Sequence, residues 1–98
     1  MGFEWDENKE WLNVAKHGVS FQSAVMIFDD PDRLKERSDR RGEERWLSTG
    51  VFEGKTWAVA YVKRGDTIRI ISARRAGKHE KERYHRSLLD RGDQADES

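Results

Sequence analysis

Three arginines carry the clearest chemical signal in this chain: Arg69, Arg74 and Arg75, all within Thr67–Arg75, T-I-R-I-I-S-A-R-R. The run is otherwise rich in β-branched residues and follows the turn residues Gly65-Asp66, so it reads as a strand. An arginine inside the most apolar strand of a small protein is costly to bury unless it is paired. Either Arg69 has a carboxylate partner, with Glu44 or Glu53 on a neighbouring strand as candidates, or its face of the sheet is a wet groove that holds an anion. The planar guanidinium fork suits phosphate better than an ammonium does. Strict alternation puts Arg69, Ile71, Ala73 and Arg75 on one face and Ile68, Ile70, Ser72 and Arg74 on the other. A one-residue bulge near Ser72 would exchange Arg74 for Arg75.

Proton-transfer candidates lie elsewhere in the chain. His17 has the side chain best suited to acid–base work near neutral pH, and Lys16 stands beside it. Both also fit a basic helix end capped by Gly18. Glu44 fits a general base or an arginine's partner, with Glu43 as its solvated neighbour. Arg45, Lys78 and Arg83 are candidate substrate contacts, as is Trp46 by stacking. Trp57 and Tyr61 belong with the core. His79 and His85 are not spaced for a shared metal, and Asp29-Asp30-Pro31-Asp32 reads as turn chemistry, so no metal site is assigned. Ser72 has no His/Asp constellation nearby to activate it.

The elements that must position these residues can be read from spacing. Phe3-Glu4-Trp5 is an edge strand or a hydrophobic plug. Asp6 is an N-cap for a first helix that ends at Lys16-His17 before Gly18. Ser20 caps a second helix with Phe21, Ala24, Val25 and Phe28 on one stripe, which stops before Pro31. Arg33–Arg41 is a weak first strand. Arg45–Phe52, Thr56–Lys63 and Thr67–Arg75, joined by tight turns, form an antiparallel meander. Gly77–Leu89 is a final helix with Tyr84 and Leu88 as its thin apolar stripe. The expected class is α+β: two N-terminal helices, an antiparallel meander and a C-terminal helix, one domain over residues 1–91 with a flexible acidic tail at 92–98.

Composition narrows the function. The chain has 98 residues and no cysteine, which excludes a disulfide framework and a thiolate metal site. With no basic, apolar leader at the N-terminus and no apolar run of membrane-spanning length, a soluble cytoplasmic protein is expected. Formal charge is zero but polarised: Lys63–Arg91 holds 10 Lys/Arg against 4 Asp/Glu, a balance of +6. Such a basic third is the electrostatic footprint of a phosphate-binding surface, or else a solvated helix face.

Five ordered motifs carry a resemblance: F-E-W-D at Phe3–Asp6, K-H-G-V-S-F at Lys16–Phe21, F-D-D-P at Phe28–Pro31, G-E-E-R at Gly42–Arg45 and I-R-I-I-S-A-R-R at Ile68–Arg75. Together they closely resemble the BrnT family, the toxin half of a bacterial toxin–antitoxin pair, over roughly Phe3–Tyr84. Glu7 departs from the small residue usual after F-E-W-D. The resemblance implies a RelE-like fold whose open sheet face binds RNA, and a ribonuclease activity that halts translation. It also implies a BrnA-like antitoxin with a ribbon-helix-helix region, forming a hetero-oligomer that reaches operator DNA only as the complex. Metal-independent cleavage then needs a base for the 2′-hydroxyl, cations for the phosphate and an acid for the leaving oxygen. Arg69, Arg74 and Arg75 would be the cations, and His17, Lys16 or Glu44 the proton-transfer groups. The competing reading is a non-catalytic module whose basic surface docks an acidic protein segment or nucleic acid.

Overall fold

The computed structural model describes the backbone of residues 2–96 and the side chains of residues 2–91. Local capping sets the N-terminal half. Asp6 accepts hydrogen bonds from the backbone N–H of Asn8 and Lys9 and so starts α1, Glu7–His17. Gly18, at φ 73°, ends it in the left-handed conformation that glycine adopts without penalty. Ser20 caps α2, Phe21–Ala24, and the Glu10 carboxylate accepts from the N–H of Phe21 and Gln22 at the same helix start. The second helix is shorter than its stripe implies. After Ala24 the chain tightens into a 3-10 turn, Val25–Asp29, which keeps Ile27 fully buried.

Five strands make one sheet: β1 Gly2–Glu4, β2 Leu34–Arg37, β3 Trp46–Phe52, β4 Lys55–Arg64 and β5 Thr67–Arg75, in the order β1-β5-β4-β3-β2. The meander from β2 to β5 is antiparallel, as its tight turns require. The β3–β4 loop is the two-residue Glu53-Gly54, both at positive φ (53° and 74°), the backbone that matches strand twist in a hairpin. Phe3-Glu4 proves to be part of an edge strand, β1, parallel to β5, so the sheet is mixed. The last helix, α3, spans Lys78–Asp96 and runs past the expected stop near Leu89. Arg91 anchors its late turns by pairing with Asp32 at 2.8 Å. The expected acidic tail, 92–98, lies outside the residues whose side chains are described.

The two faces of the sheet differ. Val59, Tyr61, Ile68, Ile70 and Ala73 face α1, α2 and the 3-10 turn, where they meet Val19, Phe21, Ala24 and Ile27. Each large buried side chain here contributes on the order of 2 kcal/mol. Gly50 lets the layers approach closely at this contact: a Cβ would meet the Ile27 Cβ at 3.1 Å and push it by a few tenths of an ångström. Tyr61 belongs to this core and satisfies its hydroxyl against Ser48 Oγ at 2.8 Å. Asn13, the one buried polar residue of α1, ties the helix to the sheet. Its amide nitrogen donates to the carbonyls of Val19 and Ala73 at 2.9 Å, and its oxygen accepts from the Ala73 N–H at 3.1 Å.

On the opposite face, α3 lies against β2 and β3. Tyr84 pins the helix there by donating its hydroxyl to Asp30 Oδ2 at 2.6 Å, and the Val51 N–H donates to the same oxygen. Burial pushes the Asp30 carboxyl up, but the bonds from Tyr84, Val51 and Asp32 outweigh it and the net shift is down. Burial and the Asp30 bond both push the Tyr84 phenol up. The acidic turn is structural in the way its proline implied.

Candidate functional site

β5 carries the arginines, and its register decides where they point. Tyr61 pairs with Ile70 and Ala60 with Ser72, which leaves Ile71 without a partner as a β-bulge. The expected strict alternation therefore fails beyond Ile70. Arg69, paired with Val62, shares a face with Arg74, paired with Ala58. Arg75 pairs with Trp57, lies on the α1 side and sits over that indole at 5.4 Å. The extra residue rotates the strand by half a pleat and exchanges the two arginines.

On the half-open face, Ala58, Ala60 and Ser72 form a floor of small side chains, with Leu47 and Ile71 beside them. Arg40, Arg45 and Arg74 stand around this floor and enclose a groove of about 350 Å³. Arg45 is half-buried and donates from Nε to Glu43 at 3.0 Å. Arg40 is exposed and has no ion pair among the described residues. Arg74 is held by a two-pronged pair to Glu80 in the first turn of α3, at 2.7 and 2.8 Å. Glu80 also accepts from the Gly77 N–H, and Arg74 holds its carboxyl below the usual range. That clamp fixes one wall of the groove.

Arg69 lies on the same face, nearer the sheet's edge, 3.6 Å from Glu4 of the neighbouring β1. Its carboxylate partner is thus Glu4 and neither Glu44 nor Glu53. Glu44 is exposed and 3.8 Å from Arg37, whose tighter partner is Asp39 at 2.8 Å. Arg83, exposed on α3, pairs with Glu36 at 3.0 Å, and Lys78 is exposed at the start of that helix. Trp46 pairs with Tyr61 and so faces the other way, under Lys35 at 4.1 Å and Lys63 at 5.3 Å.

Lys16 and His17 close α1, which follows β5: the helix begins just after Glu4, partner of Arg69, and Asn13 already reaches Ala73. One further turn of about 5.4 Å carries Lys16 and His17 to the Arg75 end of the strand, on the α1 side of the sheet. The structure thus separates the sequence candidates into two sets. Arg45, Arg69 and Arg74 share the groove face; Lys16, His17, Arg75 and Trp46 belong to the other layer.

Arg40 and the small floor were not legible as site residues. The only available signal was the alternation of Ala58 and Ala60 on one face of an otherwise bulky strand.

An arginine-walled groove over a floor of small residues in a small α+β domain has the shape and charge that suit a phosphate-bearing ligand. The chain belongs to the BrnT family: a family model described as the ribonuclease toxin BrnT of a type II toxin–antitoxin system matches residues 5–80. It is therefore a ribonuclease toxin with an antitoxin partner. No curated protein matches it. Among the described residues no helix is long and apolar enough to cross a membrane.

Proposed function

We propose that the toxin cuts RNA within the strand, without a metal ion, in the groove between Arg40, Arg45 and Arg74, and that this cleavage stops translation. The observation that supports it is the pairing of three guanidinium groups with a floor trimmed to alanine and serine. A sugar–phosphate backbone can come close to such a floor, and the arginines meet its charge from two sides. In the reaction the 2′-oxygen attacks phosphorus, the bond to the 5′-oxygen breaks, that oxygen takes a proton from water at the open mouth of the groove, and a 2′,3′-cyclic phosphate remains. Arg45 and Arg74 stabilise the charge that gathers on the phosphoryl oxygens in the transition state. Glu43, already held by Arg45, lies on the rim with Arg40 and Arg41 and takes the 2′-hydroxyl proton, with Glu44 next in line. Arg69 extends the basic face toward the sheet edge and holds a flanking phosphate. Lys16, His17 and Arg75 are outside this reading of the active groove.

The antitoxin, in this proposal BrnA-like with a ribbon-helix-helix region, neutralises the toxin by laying an acidic segment over the same arginines, and only that hetero-oligomer engages operator DNA. The test is incubation of defined RNA with the toxin in excess EDTA, with analysis of the product ends. Products ending in cyclic phosphate are expected. Intact RNA in the presence of well-folded toxin would sink the catalytic reading and leave a docking module.

A further inference from the structure

A second basic concavity lies on the other side of the sheet, at the end that α1 and α2 do not reach. Arg33, Lys35 and Lys63, with the single acid Asp66, line a cleft of about 330 Å³ together with Tyr61 and Ile68. Lys35 and Lys63 both rest over the Trp46 ring, at 4.1 and 5.3 Å, and so their ammonium groups are drawn together. Arg33 lies over Phe28 at 4.9 Å and donates from Nη1 to the Phe28 carbonyl at 3.3 Å, while its Nε is buried without a hydrogen-bond partner. Two ammonium groups side by side repel each other, and a buried N–H without an acceptor costs about 1–3 kcal/mol. Lys63 first, and then burial, hold the Lys35 ammonium below the ordinary lysine range; Glu44 opposes them only weakly. Arg37, over the same ring at 5.1 Å, is already committed to Asp39.

We infer that this cleft is a second phosphate-binding site, distinct from the groove, that takes a phosphate monoester: free phosphate, a mononucleotide or the terminal phosphate of an RNA strand. A monoester carries about −1.5 to −2 charges at neutral pH. One such group compensates both lysines and keeps an oxygen for Arg33. A single carboxylate, or an internal phosphodiester, brings one charge and leaves one lysine uncompensated. The cleft is the size of a small ligand, and the lysines serve here as mobile point charges while the arginine supplies a fixed donor. The inference does not rest on the ribonuclease reading, because it concerns the opposite face.

The test is a titration of the intact protein, followed by backbone amide NMR, with inorganic phosphate, 5′-AMP and adenosine. Phosphate and 5′-AMP should shift the amides of Lys35, Lys63 and Gly65 as one set, separate from any set at Arg45 and Ser72, and adenosine should not. A K35Q/K63Q double variant, altered only at exposed side chains, should lose about tenfold or more in affinity at the first set and keep the second. Uncleavable 2′-O-methyl RNA with and without a 5′-phosphate separates the sources: a shift that needs the terminal phosphate supports an RNA-end site, and none with either RNA supports a small-molecule site. If neither phosphate nor 5′-AMP shifts this set, or if a glutamate-rich peptide shifts it as strongly, the phosphate site is overturned.

Discussion

The two faces of one sheet solve opposite problems with neighbouring residues. Where α1 packs on the sheet, polar groups are satisfied within the protein: Asn13 makes three bonds to backbone, and Tyr61 and Ser48 satisfy each other. On the α3 side, arginines stand over alanine and serine, and only Arg74 is clamped by two short bonds. β5 serves both faces, and the unpaired Ile71 divides it. Before the bulge Ile68 and Ile70 point to the core; after it Ala73 does, and Arg74 joins Arg69 on the wet face. Changes in the packed layers should therefore cost stability, and changes to the groove arginines of the open part of the second face should cost activity at nearly constant stability.

The largest stability effect should come from Asn13→Ala. It strands the N–H and C=O of Ala73 and the C=O of Val19 in a buried contact, at a cost of about 3 kcal/mol. Denaturant unfolding measures it; a loss below about 1 kcal/mol would show that the bonds do not hold α1 to the sheet. Tyr84→Phe should follow at about 1.5 kcal/mol, because it removes a bond to an ionised carboxylate but leaves the ring packed. The same unfolding curves report it, and a neutral result would mean α3 docks without that bond.

Glu80→Gln should cost less, about 1 kcal/mol at neutral pH, since Arg74 is 43% exposed and water screens the pair. Its pH dependence is more diagnostic. The folded carboxyl titrates below its unfolded value near 4.5, so the contribution is complete above that pH and is lost as pH falls through the lower folded value. The stability gap between parent and variant should therefore close in acid. A gap that does not narrow as the pH falls below 4.5 would exclude the ion pair as its cause. The smallest stability effect should be that of Arg69→Ala, within about 0.5 kcal/mol, since its contact with Glu4 is long and half-exposed. A melting curve shows whether it is larger.

Much of this fold was legible because it is local. Asp6, Gly18 and Ser20 placed the first helices, and Glu53-Gly54 placed a hairpin, since caps and turns need particular residue types at particular φ. The apolar stripe implies a longer second helix than forms, because such a stripe cannot distinguish an α turn from a 3-10 turn. The parallel pairing of β1 with β5 and the full run of α3 depend on partners distant in sequence. The site was harder still. The bulge at Ile71 leaves no composition signal, and the face Arg69 shares follows only from the pairing of Ser72 with Ala60. Arg40 stands in a charged loop with no pattern, and becomes a groove wall only because the chain turns back at Gly42, φ 78°. His17 and Lys16 sit beside each other in sequence, yet the fold carries them to the layer away from the groove.

The central claim is that the Arg45 groove handles the scissile phosphate. It is tested most directly by comparing metal-free RNA cleavage by the parent and by Arg45→Ala, with thermal unfolding of both run alongside. Matching unfolding curves are expected, with a rate lower by about 10²-fold or more in the variant. Equal cleavage rates from equally folded proteins would contradict it and move the chemistry to the Arg75–His17 end of the sheet.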